Sequence, residues 1–208
     1  MKLYLDNSFL NRLFDDPLIT PNKLEGEVLL WVIDLVQQKK ATLVHSALVE
    51  HENSTNPFPD RRSFVTGVMR LARLYQDIDE ETEARAATLV EEMHVQPVDA
   101  LHIAAAEELR LTISSPATML LLNGTGGISQ LFLPYPSFMT TKTITHKSSS
   151  ILAEAMEVLL QHLGPQKTAE LWQVISAPGE DYLKIRKQLF AGKDVHSIFT
   201  EAKRFNRK

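Results

Sequence analysis

The sequence predicts an α/β fold, with a small parallel sheet flanked by helices and followed by a small all-α C-terminal module. Three observations carry this. Short strand-like segments alternate with helical periodicity over the first 110 residues, the pattern of strands joined by helices. From Leu111 to Thr141 no Asp, Glu, Lys or Arg occurs, where the whole-chain charged fraction of 23% would place about 7. Charge and helical periodicity then return after Met139.

Taken in order, Lys2–Leu5 alternates apolar and polar residues as a short strand does, and ends at Asp6. Phe9, Leu10, Leu13 and Phe14 fall on one face of a helix over Asn7–Phe14, with Asn7 or Ser8 as its cap. Leu24–Gln38 carries Val28, Leu29, Val32, Ile33, Leu35 and Val36 and predicts an amphipathic helix. A second strand is expected at Ala41–Val44. Helices follow at Ser46–Glu52, Arg61–Leu74 and Glu80–Met93, and one more from near Asp99 to about Leu109 behind the breaker Pro97. In the last third, helices are expected at Ser149–Leu163, Pro165–Ile175, Asp181–Phe190 and Val195–Phe205, with Gly164-Pro165 as a break and Asp194 as a cap. This divides the chain into a domain over 1–110, an irregular uncharged segment over 111–138 and a helical module over 139–208.

Hydrophobic content of 44% is ordinary for a globular protein, and no run of 18 apolar residues is present to span a membrane. Cysteine is absent, which excludes disulfides and thiolate metal sites. With no secretory signal at Met1-Lys2-Leu3, the expected location is the cytoplasm. The net charge of −4 is uneven: residues 1–138 hold 11 Lys/Arg against 19 Asp/Glu (11 − 19 = −8), and residues 139–208 hold 11 against 7 (11 − 7 = +4). Two readings stand side by side: two solvated surfaces of different composition, or an acidic domain and a basic module that attract each other. The loop Asn123-Gly124-Thr125-Gly126-Gly127 has neither a strong strand before it nor Lys-Ser/Thr after it, so no phosphate site is expected there.

Three carboxylates stand out by position. Asp6 closes the first strand, at the sheet edge where ligands of parallel α/β folds bind. Glu50 lies in the helix after the second strand. Asp99 opens a helix of small and apolar residues (Ala100, Leu101, Ile103, Ala104, Ala105, Ala106) that has to be buried. His102 on that helix reads as a core residue. Converging hard oxygen ligands hold Mg²⁺ or Mn²⁺, and such an ion activates water against a phosphodiester. Taken singly, Asp6 and Asp99 read as helix caps before ligands, and Glu50 as an ordinary helix carboxylate.

Three segments together carry a resemblance. MKLYLDNSFLNRLFDD (1–16), LVHSALVEHENSTNP (43–57) and VQPVDALHIAAAEE (95–108) resemble, in order and spacing, the three acidic motifs of PIN-domain ribonucleases, the toxins of type II toxin–antitoxin pairs. The resemblance covers about half the chain. It implies a PIN-like parallel sheet and a Mg²⁺-dependent endoribonuclease, with Asp6, Glu50 and Asp99 as catalytic metal ligands; Glu52 is the less favoured register for the second. PIN domains continue with a buried strand, roughly Ala-Asp-Tyr-Phe-Leu-Thr-x-Asp-Asp, that supplies a further acid. Here no carboxylate occurs between Glu108 and Glu154, so a strand of the sheet is expected to be missing.

Back-translation offers a cause. Joining the third base of each codon from Arg110 onward to the first two of the next permits Ala-Asp-Tyr-Phe-Leu-Thr-(Cys/Gly)-Asp-Asp in place of Leu111 to Met119. The expectation is a reading frame shifted near residue 110, with Met139 as the start of a fused antitoxin-like protein. The function expected is therefore RNA cleavage with Mg²⁺ or Mn²⁺, impaired by loss of the last acidic motif. The partners expected are an RNA substrate and either an antitoxin-like protein or the chain's own C-terminal module, with no membrane and with room for a homodimer. The alternative is a non-catalytic scaffold, its toxin-derived half neutralised by the basic helical half. Lys203, Arg204, Arg207 and Lys208 read as a solvated tail.

Overall fold

In the computed structural model, residues 2–16, 18, 20–108, 149–175 and 181–206 are described. Strand β1 (Lys2–Tyr4) leads into a one-turn helix α1 (Asn7–Leu10), a 3₁₀ turn (Arg12–Phe14) and the long helix α2 (Thr20–Gln37). Strand β2 (Thr42–Ser46) is followed by α3 (Ala47–Thr55) and α4 (Pro59–Met69), then β3 (Leu74–Gln76), α5 (Glu80–Met93) and α6 (Pro97–Glu108). The C-terminal part adds α7 (Ser149–Ile175), α8 (Tyr182–Leu189) and α9 (Val195–Asn206). The architecture is α/β, a three-stranded parallel sheet in the order β1-β2-β3 flanked by helices.

The register pairs Leu3 with Leu43 and Val44 with Leu74. Leu3, Tyr4, Leu43 and Val44 are all buried, the near-continuous burial that a parallel sheet imposes on its central strands. Strand β3 replaces the end of the helix expected over Arg61–Leu74. It is three residues long, and Leu74 and Tyr75 are exposed, so neither alternation nor an apolar run marks it. The helix expected over Asn7–Phe14 divides at Asn11, whose amide binds the Asn7 carbonyl at 2.7 Å and so competes with a continuing helix. The residues where a further strand was expected to be lost lie outside those described, as does the whole of 111–138.

Helix α5 begins with a capping box, Asp79 accepting from the Thr82 amide at 2.9 Å while Thr82 Oγ1 receives the Asp79 amide. It ends on His94 in the left-handed region at φ 54°. In α6 every residue from Val98 to Ala106 is buried, which makes it the central helix of one half of the core. The break expected at Gly164-Pro165 is present: Gly164 leaves the helical region at φ 75° and ψ 168°, so α7 is two helical segments that meet there at a sharp kink.

The C-terminal helices complete both halves of the core. Helix α7 packs along α4 and α2, placing Met156, Ala169 and Trp172 with the sheet residues; the Trp172 and Phe14 rings lie 5.5 Å apart. Helix α9 packs on α3, α5 and α6 through Val195, Ile198, Phe199 and Ala202. Among the described residues no helix is long and apolar enough to cross a membrane.

Candidate functional site

The C-terminal edge of the sheet collects the acidic residues. Asp6 follows β1 and caps α1, its Oδ1 accepting the Phe9 amide at 2.9 Å. Ser46 ends β2 and caps α3, whose next turn carries Glu52 inward. Asp99 stands in the first turn of α6. Asp6, Glu52 and Asp99 are buried at 0%, 0% and 6% exposure, an arrangement that is costly unless cations or donors meet it.

The cation that meets it comes from α8. Arg186, 5% exposed, donates through Nε to Glu52 Oε1 at 2.6 Å and through Nη1 to Asp99 Oδ1. Its neighbour Tyr182 donates its hydroxyl proton to Glu52 Oε1 at 3.2 Å and receives the Asn7 side-chain amide at 2.6 Å. A second anchor lies one turn away. There the Tyr182 backbone amide binds Asp15 Oδ1 at 2.9 Å, in a buried group where Asp15 also meets Arg12 at 3.0 Å and Arg61 at 3.3 Å.

Glu50 faces His45, while Glu52, the other register weighed for the second acidic position, shares Arg186 with Asp99. On an α-helix residues two apart point about 200° from each other, so turning Glu52 inward turns Glu50 outward. Glu50 is one-third exposed and faces His45 at 3.5 Å. It lines a groove of about 850 Å³ between α3, α4 and α7 that contains none of Asp6, Glu52 and Asp99. That groove is mixed and open; the perturbed carboxylates lie in the filled cluster, which is where chemistry is to be sought.

Electrostatics separate the three acids. Burial raises Glu52, but the Arg186 charge and the His102 hydrogen bond outweigh it and hold the carboxyl down at about 2. Burial raises Asp6, against the pull of Arg186 and His102, and raises Asp99 even beside Arg186. Burial would lower Arg186, yet Glu52, Asp99 and Asp6 together raise it. Three carboxylates against one guanidinium leave an excess of two negative charges if all ionise. Asp6 Oδ2 is buried and has no hydrogen-bond partner, so the cluster has room electrically for more positive charge than Arg186 brings.

The oxygen donors of these residues are of the kind a divalent ion takes. All three offer hard oxygen atoms, one of them unpartnered, and a +2 ion would match the charge better than a +1 guanidinium. Among the described residues no group of three His, Cys, Asp or Glu is arranged to hold an ion, and Arg186 is bonded to two of these three acids. Sequence reasoning missed Arg186 and Tyr182, although a signal was present: Tyr182, Ile185, Arg186 and Leu189 form one helical face, with an arginine inside an otherwise apolar stripe.

No family model matches the chain, and no curated protein or solved structure matches it either.

Proposed function

We propose that this chain is a PIN-type, Mg²⁺-dependent endoribonuclease of toxin–antitoxin kind, held neutral by its own C-terminal helices. The observation that carries the reading is Arg186 of α8 bonded to both Glu52 and Asp99 at the sheet edge. In the free site Asp6, Glu52 and Asp99 would hold the ion, which supplies charge for the scissile phosphate and an activated water. Asp6 keeps one oxygen on the α1 amide and offers the other to the seat. Tyr182 and Arg186 occupy that seat through their bonds to Glu52 and Asp99, while α9 packs its apolar face on α3, α5 and α6. The motif resemblance of residues 1–16, 43–57 and 95–108 supports the assignment to RNA.

The alternative, a scaffold that binds without cleaving, is favoured by the same arginine, since a filled seat performs no hydrolysis. Cleavage assays with Mg²⁺ and Mn²⁺ on a mixed pool of RNA oligomers separate the two. The unaltered chain should leave RNA intact. Arg186→Met should cleave it, and Asp6→Asn in that background should not. Cleavage by the unaltered chain that Asp6→Ala and Asp99→Ala abolish would overturn the neutralised state; an Arg186→Met chain that binds Mn²⁺ and cleaves nothing would leave the scaffold.

A further inference from the structure

Beneath the carboxylate cluster runs a chain of buried hydrogen bonds that the reading above does not use. Ser46 Oγ lies 2.8 Å from Tyr4 Oη, Tyr4 Oη 2.9 Å from His102 Nδ1, and His102 Nε2 2.8 Å from Glu52 Oε2. Ser46, Tyr4, His102 and Glu52 are each no more than 1% exposed.

The polarity of the chain follows from its carboxylate end. An ionised carboxylate only accepts, so His102 Nε2 carries a hydrogen and donates it to Glu52. In a neutral ring Nδ1 is then bare and takes its hydrogen from Tyr4; Ser46 Oγ, which accepts the Val49 amide at 3.3 Å as the cap of α3, has its own hydrogen to give to Tyr4 in turn. Tyr4 has one hydrogen and gives it to Nδ1. Every donor meets an acceptor when the bonds run from Ser46 to Glu52 and His102 is the Nε2–H tautomer.

The result is asymmetric for Glu52. Oε2 is bound inward by His102, while Oε1 faces Arg186 Nε at 2.6 Å and the Tyr182 hydroxyl at 3.2 Å. We propose that Tyr4 and His102 are positioning residues which hold Glu52 as a one-oxygen ligand, with Oε1 alone turned to the cation seat. This rests on the cation-seat reading, and it extends that reading to two residues outside the acidic triad. An outer partner that fixes a ligand's orientation changes metal affinity about 10–100-fold.

The test has two arms. In the full-length chain, ¹⁵N spectroscopy of the histidine rings should show His102 with hydrogen on Nε2 and a bare Nδ1, and Tyr4→Phe should shift the Nδ1 resonance by removing its donor. In the Arg186→Met background, Mn²⁺ affinity should fall about 10–100-fold in His102→Ala and recover partly in His102→Gln, whose amide nitrogen reaches the Nε2 position. A His102 ring carrying hydrogen on Nδ1 in the unaltered chain overturns the relay, and so does Mn²⁺ affinity unchanged in His102→Ala. If Arg186→Met binds no Mn²⁺ at all, the cation seat fails by itself, and the His102 tautomer still decides whether the relay exists.

Discussion

Arg186 Nε donates to Glu52 Oε1 at 2.6 Å while Nη1 of the same guanidinium donates to Asp99, joining two carboxylates that lie 134 and 87 residues earlier in the chain. Each partner is buried, so neither charge has solvent to fall back on. Removing one member of such a group leaves the others uncompensated, at a cost of about 3–5 kcal/mol.

Glu52→Gln should therefore destabilise the fold by about 3–5 kcal/mol in urea unfolding. Glu50→Gln, two residues away on the opposite face of α3, should change it by no more than about 0.5 kcal/mol. Equal effects of the two substitutions would contradict the register described here.

Asp6→Asn should act in the other direction. The asparagine keeps an oxygen for the Phe9 amide and removes a buried charge whose second oxygen has no partner. A gain of about 1–3 kcal/mol in unfolding free energy is expected, together with loss of Mn²⁺ binding in an Arg186→Met background. A site that is stabilised by losing its acid is built for a ligand. Loss of stability on this substitution would mean that Asp6 is already neutralised.

The pH dependence follows from the same charges. Glu52 is held at about 2 against an ordinary 4.5, so its contribution is fully present above 4.5 and is lost as pH falls towards 2. That interval, at about 1.4 kcal/mol per pH unit, amounts to roughly 3 kcal/mol. Asp6 and Asp99, raised by burial, act oppositely: the folded chain holds their protons more tightly, and their contribution turns unfavourable as pH rises above the ordinary carboxylate value. Comparing the unaltered chain with Glu52→Gln isolates the first effect. The stability gap should be wide at pH 6 and close as pH approaches 2; a gap constant across that interval would contradict the assignment.

Docking of the C-terminal helices should depend on the apolar face of α9 as well as on Arg186. Phe199, 5% exposed against α3, α5 and α6, should cost about 3–5 kcal/mol when replaced by alanine. Hydrogen exchange of residues 182–206 should then quicken while β1 and β2 stay protected. Unchanged exchange in α8 would show that Arg186 alone holds the module.

Much of this arrangement was legible in the sequence because it rests on periodicity. Leu3 and Val44 announce buried strands, and the Ala-rich run after Asp99 announces a buried helix. Strand β3 was illegible because three half-exposed residues at a sheet edge carry no pattern, only pairing with β2. Asp6 and Asp99 were legible from their place at element ends. Glu52 was not preferred to Glu50, since the choice depends on which way α3 is rotated on the sheet, a tertiary fact set by Leu48 and Val49 packing inward. Arg186 was marked locally only as an arginine within the apolar stripe of α8; which site it meets was not legible, because its partners are more than 80 residues away.

Mn²⁺ titration by calorimetry of the unaltered chain beside Arg186→Met tests the shared cation seat most directly. If Asp6, Glu52 and Asp99 hold an ion, the arginine competes with it for the same oxygens, so Arg186→Met should bind one Mn²⁺ at least about tenfold more tightly, and Asp99→Asn should weaken that binding. A folded Arg186→Met chain that binds Mn²⁺ no better than the unaltered one would contradict the seat.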